Sequence, residues 1–203
     1  MAGRGELMVD VEHQNLPRSG TRFSRSLAKT ILTRLGWSFA GTLPDIPKQV
    51  VIVAPHTSNW DFLIGILAVF TLGIRAHWIG KHTIFVPPFN ILMKWLGGIP
   101  VNRSVPNSLV QTTTEQFRLN DRFLIGIAPE GTRKKVDTWK KGFYRIASGA
   151  KVPICCATID YRKRSIGFGP SFMPSGNYEE DLEIVRSFYA QTTGRYPEKF
   201  KLP

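Results

Sequence analysis

The sequence predicts a single α/β domain, a mixed and mostly buried β-sheet flanked by helices, with an amphipathic basic helix near its N-terminus. Three observations carry that reading. Short apolar runs without polar alternation recur along the chain, the mark of strands covered on both faces. Segments of helical periodicity separate these runs, which is the alternation of an α/β sheet. The 203 residues suffice for one core, with no internal repeat and no long linker to divide them.

Taken in order, residues 1–20 mix charges, Gly and Pro without periodicity and read as a loose tail, leaving 21–203 as the domain. Over 21–40, Phe23, Leu27, Ile31 and Leu35 recur at four-residue steps with Ala28 and Leu32 beside them, while Arg22, Arg25 and Lys29 fall on the opposite side. No acid occurs between Glu12 and Asp45. Such a helix suits an anionic membrane surface, and it equally suits packing on the domain's own core. After a Pro-containing turn, 49–54 (QVVIVA) reads as a buried strand and 59–71 as the helix that follows it. Further strands are expected at 75–79, 99–101, 123–128, 153–160 and 165–168, with helices near 89–96, 108–119, 139–150 and 178–191.

Composition narrows the function. Apolar residues make up 42% and charged residues 21%, an ordinary globular balance that excludes disorder and a disulfide-rich mini-scaffold. Twenty-seven Lys and Arg against fifteen Asp and Glu leave a net charge of +12, so the surface should attract phosphates. Cys155 and Cys156 are adjacent in an apolar stretch, which fits neither a zinc site nor a bridge between distant segments; they read as buried thiols in a reducing compartment. No signal peptide is visible, and the longest apolar run, 62–74, is short of the roughly 18 residues a spanning helix needs. A soluble or surface-bound protein is the expectation.

The most informative segment is APHTSNWDF at 54–62, where an apolar strand delivers His56 into a loop and Asp61 follows in the first helical turn. A neutral imidazole beside a carboxylate is the minimal general base: the carboxylate fixes the tautomer while the other ring nitrogen takes a proton from a hydroxyl. The same residues also read as a capping box, with Ser58 as N-cap and Asp61 as the reciprocal acid. Further along, the apolar strand at 123–128 runs into Pro129-Glu130-Gly131-Thr132-Arg133, a tight turn with an acid, a hydroxyl and an arginine. Arg makes bidentate bonds to phosphate oxygens and Gly permits close backbone approach. Between the two lies GGIPVNR at 97–103, a flexible pair leading into a short strand that ends at Arg103, a second phosphate candidate.

These blocks resemble the glycerolipid acyltransferases typified by bacterial 1-acyl-sn-glycerol-3-phosphate acyltransferase. His56 to Asp61 matches the H-x-x-x-x-D signature, Pro129 to Arg133 the P-E-G-T-R block, Gly98 to Arg103 the glycine-led block ending in arginine, and Val152-Pro153-Ile154 the opening of the fourth. Asn102 stands where many members have an acid and Lys134 where a serine is frequent, both on the acceptor side. The resemblance implies transfer of a fatty acyl group from acyl-CoA or acyl-carrier protein to a hydroxyl of a lysophospholipid-like acceptor. In that scheme His56 is the base, Asp61 orients it, Arg103 and Arg133 hold the acceptor phosphate, and Glu130, Gly131 and Thr132 shape the acceptor pocket. The thioester is a co-substrate, and nothing in the sequence speaks to a metal or redox cofactor.

An acceptor dissolved in a bilayer requires membrane access, so the expected partner surface is an anionic membrane and the expected place its inner, cytoplasmic face. The basic helix at 21–40 suits that task. The aromatic stretch 84–95 could sit in the interface, line an acyl groove, or be an internal helix packed on the sheet. Two rivals compete: a hydrolase using the same dyad on water, and a nucleic-acid binder motivated by charge and interleaved aromatics. The second has no recognised fingerprint and leaves the motifs idle, so no nucleic-acid partner is expected.

Overall fold

The computed structural model describes residues 14–101 and 108–203. Strands β1 (Ser38–Ala40), β2 (Lys48–Ala54), β3 (His77–Lys81), β4 (Gly98–Val101), β5 (Phe123–Ile127), β6 (Ile154–Asp160) and β7 (Ser165–Phe172) form one sheet in the order β1-β7-β6-β2-β5-β3-β4. β6, β2, β5, β3 and β4 are mutually parallel; β7 pairs antiparallel with β6, and β1 follows β7. This is the mixed, mostly buried sheet read from the apolar runs.

Helices cover both faces: α1 (Arg22–Arg34), α2 (Asn59–Leu72), α3 (Phe89–Trp95), α4 (Ser108–Leu119), α5 (Gly142–Ala150) and α6 (Tyr178–Tyr189). Alternation along β2 explains the layering, because successive side chains of a strand point to opposite faces. Val50, Ile52 and Ala54 join Ile125 and Ile127 in the core under α5 and α6, with Phe143, Ile146, Leu182 and Val185. Val51 and Leu124 face the other side, where Ile64 and Ala68 of α2 and Leu32 of α1 pack. Cys155 and Cys156 divide the same way, one to each face; both are free, and burial pushes both thiols up to about 12. Neither is a nucleophile at neutral pH.

Four expectations need correction. The helix expected over 21–40 stops at Arg34: Gly36 takes φ +75°, and the chain then extends as β1, with Ser38–Ala40 paired to Ser165–Gly167 and Trp37 buried behind it. A positive φ of that size is cheap only for glycine. The loose tail is pinned over 14–20, where the Asp45 carboxylate accepts the backbone N–H groups of Gln14, Asn15 and Leu16, Leu16 is fully buried, and Arg18 bridges to Ile74; residues 1–13 lie outside the described residues. α5 begins at Gly142, not 139, because Trp139 is buried against Tyr189 and Phe200 in the preceding loop. β7 runs to Phe172, its pairing with β6 continuing past the Gly and Pro that interrupt its apolar pattern.

The α1 stripe is disposed unexpectedly. Ala28 and Leu32 pack inward, while Phe23 is 75% exposed and Leu27, Ile31 and Leu35 are also exposed. α3 is no internal helix, since Phe89, Ile91, Leu92 and Trp95 are exposed, though Trp95 still touches Phe70 of α2 with ring centroids 5.7 Å apart. Among the described residues no helix is long and apolar enough to cross a membrane.

Tyr189 ties α6 to the strand that carries the histidine. Its buried hydroxyl accepts from the Ala157 N–H at 3.2 Å and lies 2.7 Å from the Ile52 carbonyl. Replacing it with Phe strands buried backbone groups, so Tyr189→Phe should cost about 1–3 kcal/mol in urea denaturation with the m-value unchanged; wild-type stability would show the bridge to be dispensable.

Candidate active site

The centre of the sheet places the motifs. β2 and β5 are adjacent and parallel, with Val50 opposite Ile125 and Ile52 opposite Ile127, so both deliver their loops to the same edge. The helix after β2 covers one face and the helix after β5 the other. Strand ends diverging in this way open a crevice at the carboxyl edge, where α/β sheets bind ligands.

After β2, His56 precedes α2, whose N-cap is Ser58. The Asp61 carboxylate turns back to the loop: Oδ2 accepts the N–H groups of Thr57 and Ser58, each at 2.8 Å, and stands 3.3 Å from His56 Nδ1. Capping box and His–Asp pair are therefore not alternatives, because one oxygen serves both. The Asp61 side chain is 2% exposed and that of His56 24%, so the imidazole reaches solvent while its partner does not. With Nδ1 turned toward the carboxylate, Nε2 is the nitrogen left for chemistry.

The turn after β5 locks onto this loop. Gly131 at φ +67° folds its N–H back to the Ala128 carbonyl, and the buried Glu130 presents Oε2 to the His56 backbone N–H at 2.9 Å. Burial pushes the Glu130 carboxyl up, the His56 N–H draws it partly back, and the negative charge of Asp61 adds to the rise, leaving it at about 7. Its Oε1 is buried without a hydrogen-bond partner among the described residues. Arg133 donates to the Asn59 side chain at the start of α2, a second link between the motifs. Thr132 is half-buried, its Oγ1 accepting from the Lys134 N–H. The structure thus joins His56, Asp61, Glu130, Gly131, Thr132 and Arg133 in one place. Arg103 lies outside the described residues, although β4 ends at Val101 on the same edge.

Sequence reasoning missed three groups. Tyr161, just past β6, donates its hydroxyl to Asp61 Oδ1 at 2.8 Å. The segment after α6 closes over the loop: Tyr196 N–H donates to Thr57 Oγ1, and the Thr193 carbonyl accepts from the Tyr161 N–H. Arg195 in that segment lies over the rings of Trp60 at 5.2 Å and of Tyr161 at 5.9 Å. No spacing rule connects residues so distant in the chain; only the adjacency of β6 to β2 brings them together.

The structure thus sets a paired His–Asp loop and an acidic turn at the carboxyl edge of an α/β sheet, and comparison with known families places the chain in a class. The family model described as Acyltransferase matches residues 37–160. The chain belongs to the acyltransferase family. Among solved structures, it is similar to the crystal structure of the 1-acyl-sn-glycerophosphate (LPA) acyltransferase PlsC from Thermotoga maritima, with a TM-score of 0.54 and 21% identity over 84% of this chain and 75% of that one. No curated protein matches the sequence.

A carboxyl raised by folding binds its proton more tightly in the native state, so its contribution to stability is full below the unfolded value near 4.5 and is lost as pH rises through about 7. Glu130→Gln keeps an acceptor for the His56 N–H and removes that titration. Thermal melts across this range should show wild type losing stability relative to the variant as pH rises; parallel curves would mean that Glu130 does not titrate there.

Proposed function

We propose that this acyltransferase moves a fatty acyl group from acyl-CoA or acyl-carrier protein to the hydroxyl of a lysophospholipid-like acceptor, 1-acylglycerol-3-phosphate first among them, with His56 as general base. The observation that carries the reading is the pairing of His56 Nδ1 with Asp61 at 3.3 Å beside a partly exposed imidazole. Nε2 takes the acceptor's hydroxyl proton as the oxygen attacks the thioester carbonyl. The tetrahedral oxyanion collapses, the C–S bond breaks, and the imidazolium returns its proton to the leaving thiolate. Ester and thiol are the products, with no covalent enzyme intermediate.

Arg133 and Arg103 are assigned to the acceptor phosphate, for which guanidinium geometry is suited. Glu130, Gly131 and Thr132 form the wall of that pocket. The Arg133 link to Asn59 supports this assignment, since it holds a cation one residue from Trp60 at the mouth of the site. The resemblance to PlsC, itself an LPA acyltransferase by description, supports the acceptor class.

The acceptor resides in a membrane, and the enzyme meets it as a peripheral protein at the cytoplasmic face. Support comes from the apolar stripe Phe23, Leu27, Ile31 and Leu35, which stays in solvent while α1 packs through Ala28 and Leu32, and from the exposed side chains of α3, which meets α2 through Trp95 and Phe70. A net charge of +12 favours anionic lipid.

With acyl-CoA, acyl-carrier protein and a panel of lysolipids, wild type should form diacyl lipid and free thiol in equal amounts, and His56→Ala should lose roughly a hundredfold or more in turnover. Full activity in His56→Ala overturns the mechanism, and free fatty acid in place of diacyl lipid assigns the dyad to hydrolysis. The double variant Leu27→Glu/Ile31→Glu should release the protein from anionic vesicles while leaving turnover of a short-chain soluble acceptor within about twofold; unchanged vesicle binding would remove α1 from the membrane contact.

A further inference from the structure

Asp61 is almost wholly buried, and its two oxygens are held differently. Oδ2 is gripped by two backbone N–H groups of its own loop and faces the imidazole, whereas Oδ1 is met by a side chain from the turn after β6, the Tyr161 hydroxyl at 2.8 Å. A carboxylate turns about its Cβ–Cγ bond unless both oxygens are anchored, and any turn moves Oδ2 out of line with Nδ1. Tyr161 is itself clamped. Its N–H is fixed to the Thr193 carbonyl, its ring meets Trp37 edge-on with centroids 5.1 Å apart, and Arg195 lies over it. We propose that Tyr161 is a positioning residue for catalysis, holding Asp61 Oδ1 so that Oδ2 keeps the His56 imidazole aligned for proton abstraction. The inference rests on the reading of His56 as general base.

The charges around the pair agree with a donor role. The groups facing it are Glu130 from the turn after β5, Tyr161 after β6, and Arg195 from the C-terminal segment. Burial raises the phenol above its usual range, the Asp61 hydrogen bond and charge raise it further, and Arg195 only partly opposes them. The hydroxyl therefore keeps its proton wherever the enzyme works.

The test compares Tyr161→Phe with wild type as the full chain, using acyl thioester and lysolipid. The variant keeps the ring packed on Trp37 and loses the bond, so kcat should fall about tenfold, the scale of a hydrogen bond to a charged group, with KM for both substrates within about twofold. The acidic limb of its pH–rate profile should move to lower pH, because a carboxylate free to turn holds the imidazolium less firmly. A purely structural tyrosine would lower Tm and leave that limb in place. Incorporating 3-fluorotyrosine at position 161, which keeps both the ring and the donor, should leave kcat and the limb near those of wild type. In a His56→Ala background, Tyr161→Phe should cost nothing further. Wild-type kcat and an unmoved limb in Tyr161→Phe, or a tenfold loss that persists without His56, would overturn the inference while leaving the base intact. Undiminished activity in His56→Ala alone would overturn the base reading beneath it.

Discussion

Everything in the site depends on β2 and β5 lying side by side and parallel at the middle of the sheet. Parallel strands need crossover connections, so each of these two must send its chain away through a loop at the same edge. Glu130 converts that neighbourhood into a fixed distance, because its carboxylate reaches from the turn after β5 to the backbone N–H of the histidine after β2. The bond is to main chain, so it sets where His56 stands without occupying its ring. Arg133 repeats the arrangement one turn further out through Asn59. A signature split between two distant blocks is what this geometry requires, since each block contributes half of every link.

The same economy brings two acids into one buried place, and the structure treats them in opposite ways. Asp61 has three donors converging on it, two from its own loop and one from Tyr161. Glu130 has one, and an oxygen with none among the described residues. Burying a carboxylate without compensating hydrogen bonds favours its neutral form. Donor supply thus makes one acid the partner of the imidazole and leaves the other as a scaffold that titrates near neutrality.

How much of this was legible follows from where each signal lives. The strand at 49–54 and the helix after it show in the sequence because burial on both faces leaves an unbroken apolar run, and Ser58 with Asp61 marks the helix start; β2 and α2 fall within a residue or two of those expectations. His56, Asp61 and Glu130 announce themselves because their chemistry needs fixed local spacing. Tyr161 and Arg195 do not, because their contribution depends on β6 lying against β2 and on the last segment folding back, which are tertiary facts with no local trace. The end of α1 was missed for a related reason: Trp37 and Phe39 continue an apolar pattern that a helix would also show, and only pairing with β7 decides that 38–40 is strand. The tail at 14–20 has no periodicity because an aspartate thirty positions on, rather than a regular element, satisfies its backbone.

The orientation of α1 reverses the usual logic of a surface helix. Amphipathic helices hide their larger apolar side chains, yet here Ala28 and Leu32 go inward and Phe23, Leu27, Ile31 and Leu35 go out. Full burial of a side chain of this size is worth on the order of 1.5–3 kcal/mol and these four forgo a part of it, so the arrangement is unfavourable for a domain alone in solution. It becomes favourable if the stripe is buried elsewhere for part of the time. α1 lies antiparallel to α2, with Arg25 at the Gly73 end and Leu32 in one cluster with Ile64, so the stripe runs along α2 from the Phe23 end and its Leu35 end is the one nearer Trp60 and Leu63, exposed beside the His56 loop. In the proposed reading, the apolar surface that rests on lipid and the imidazole that meets the acceptor belong to one helix pair. A lysolipid would then need to rise only far enough to bring its hydroxyl past Trp60, keeping its chain in hydrocarbon while the ester forms.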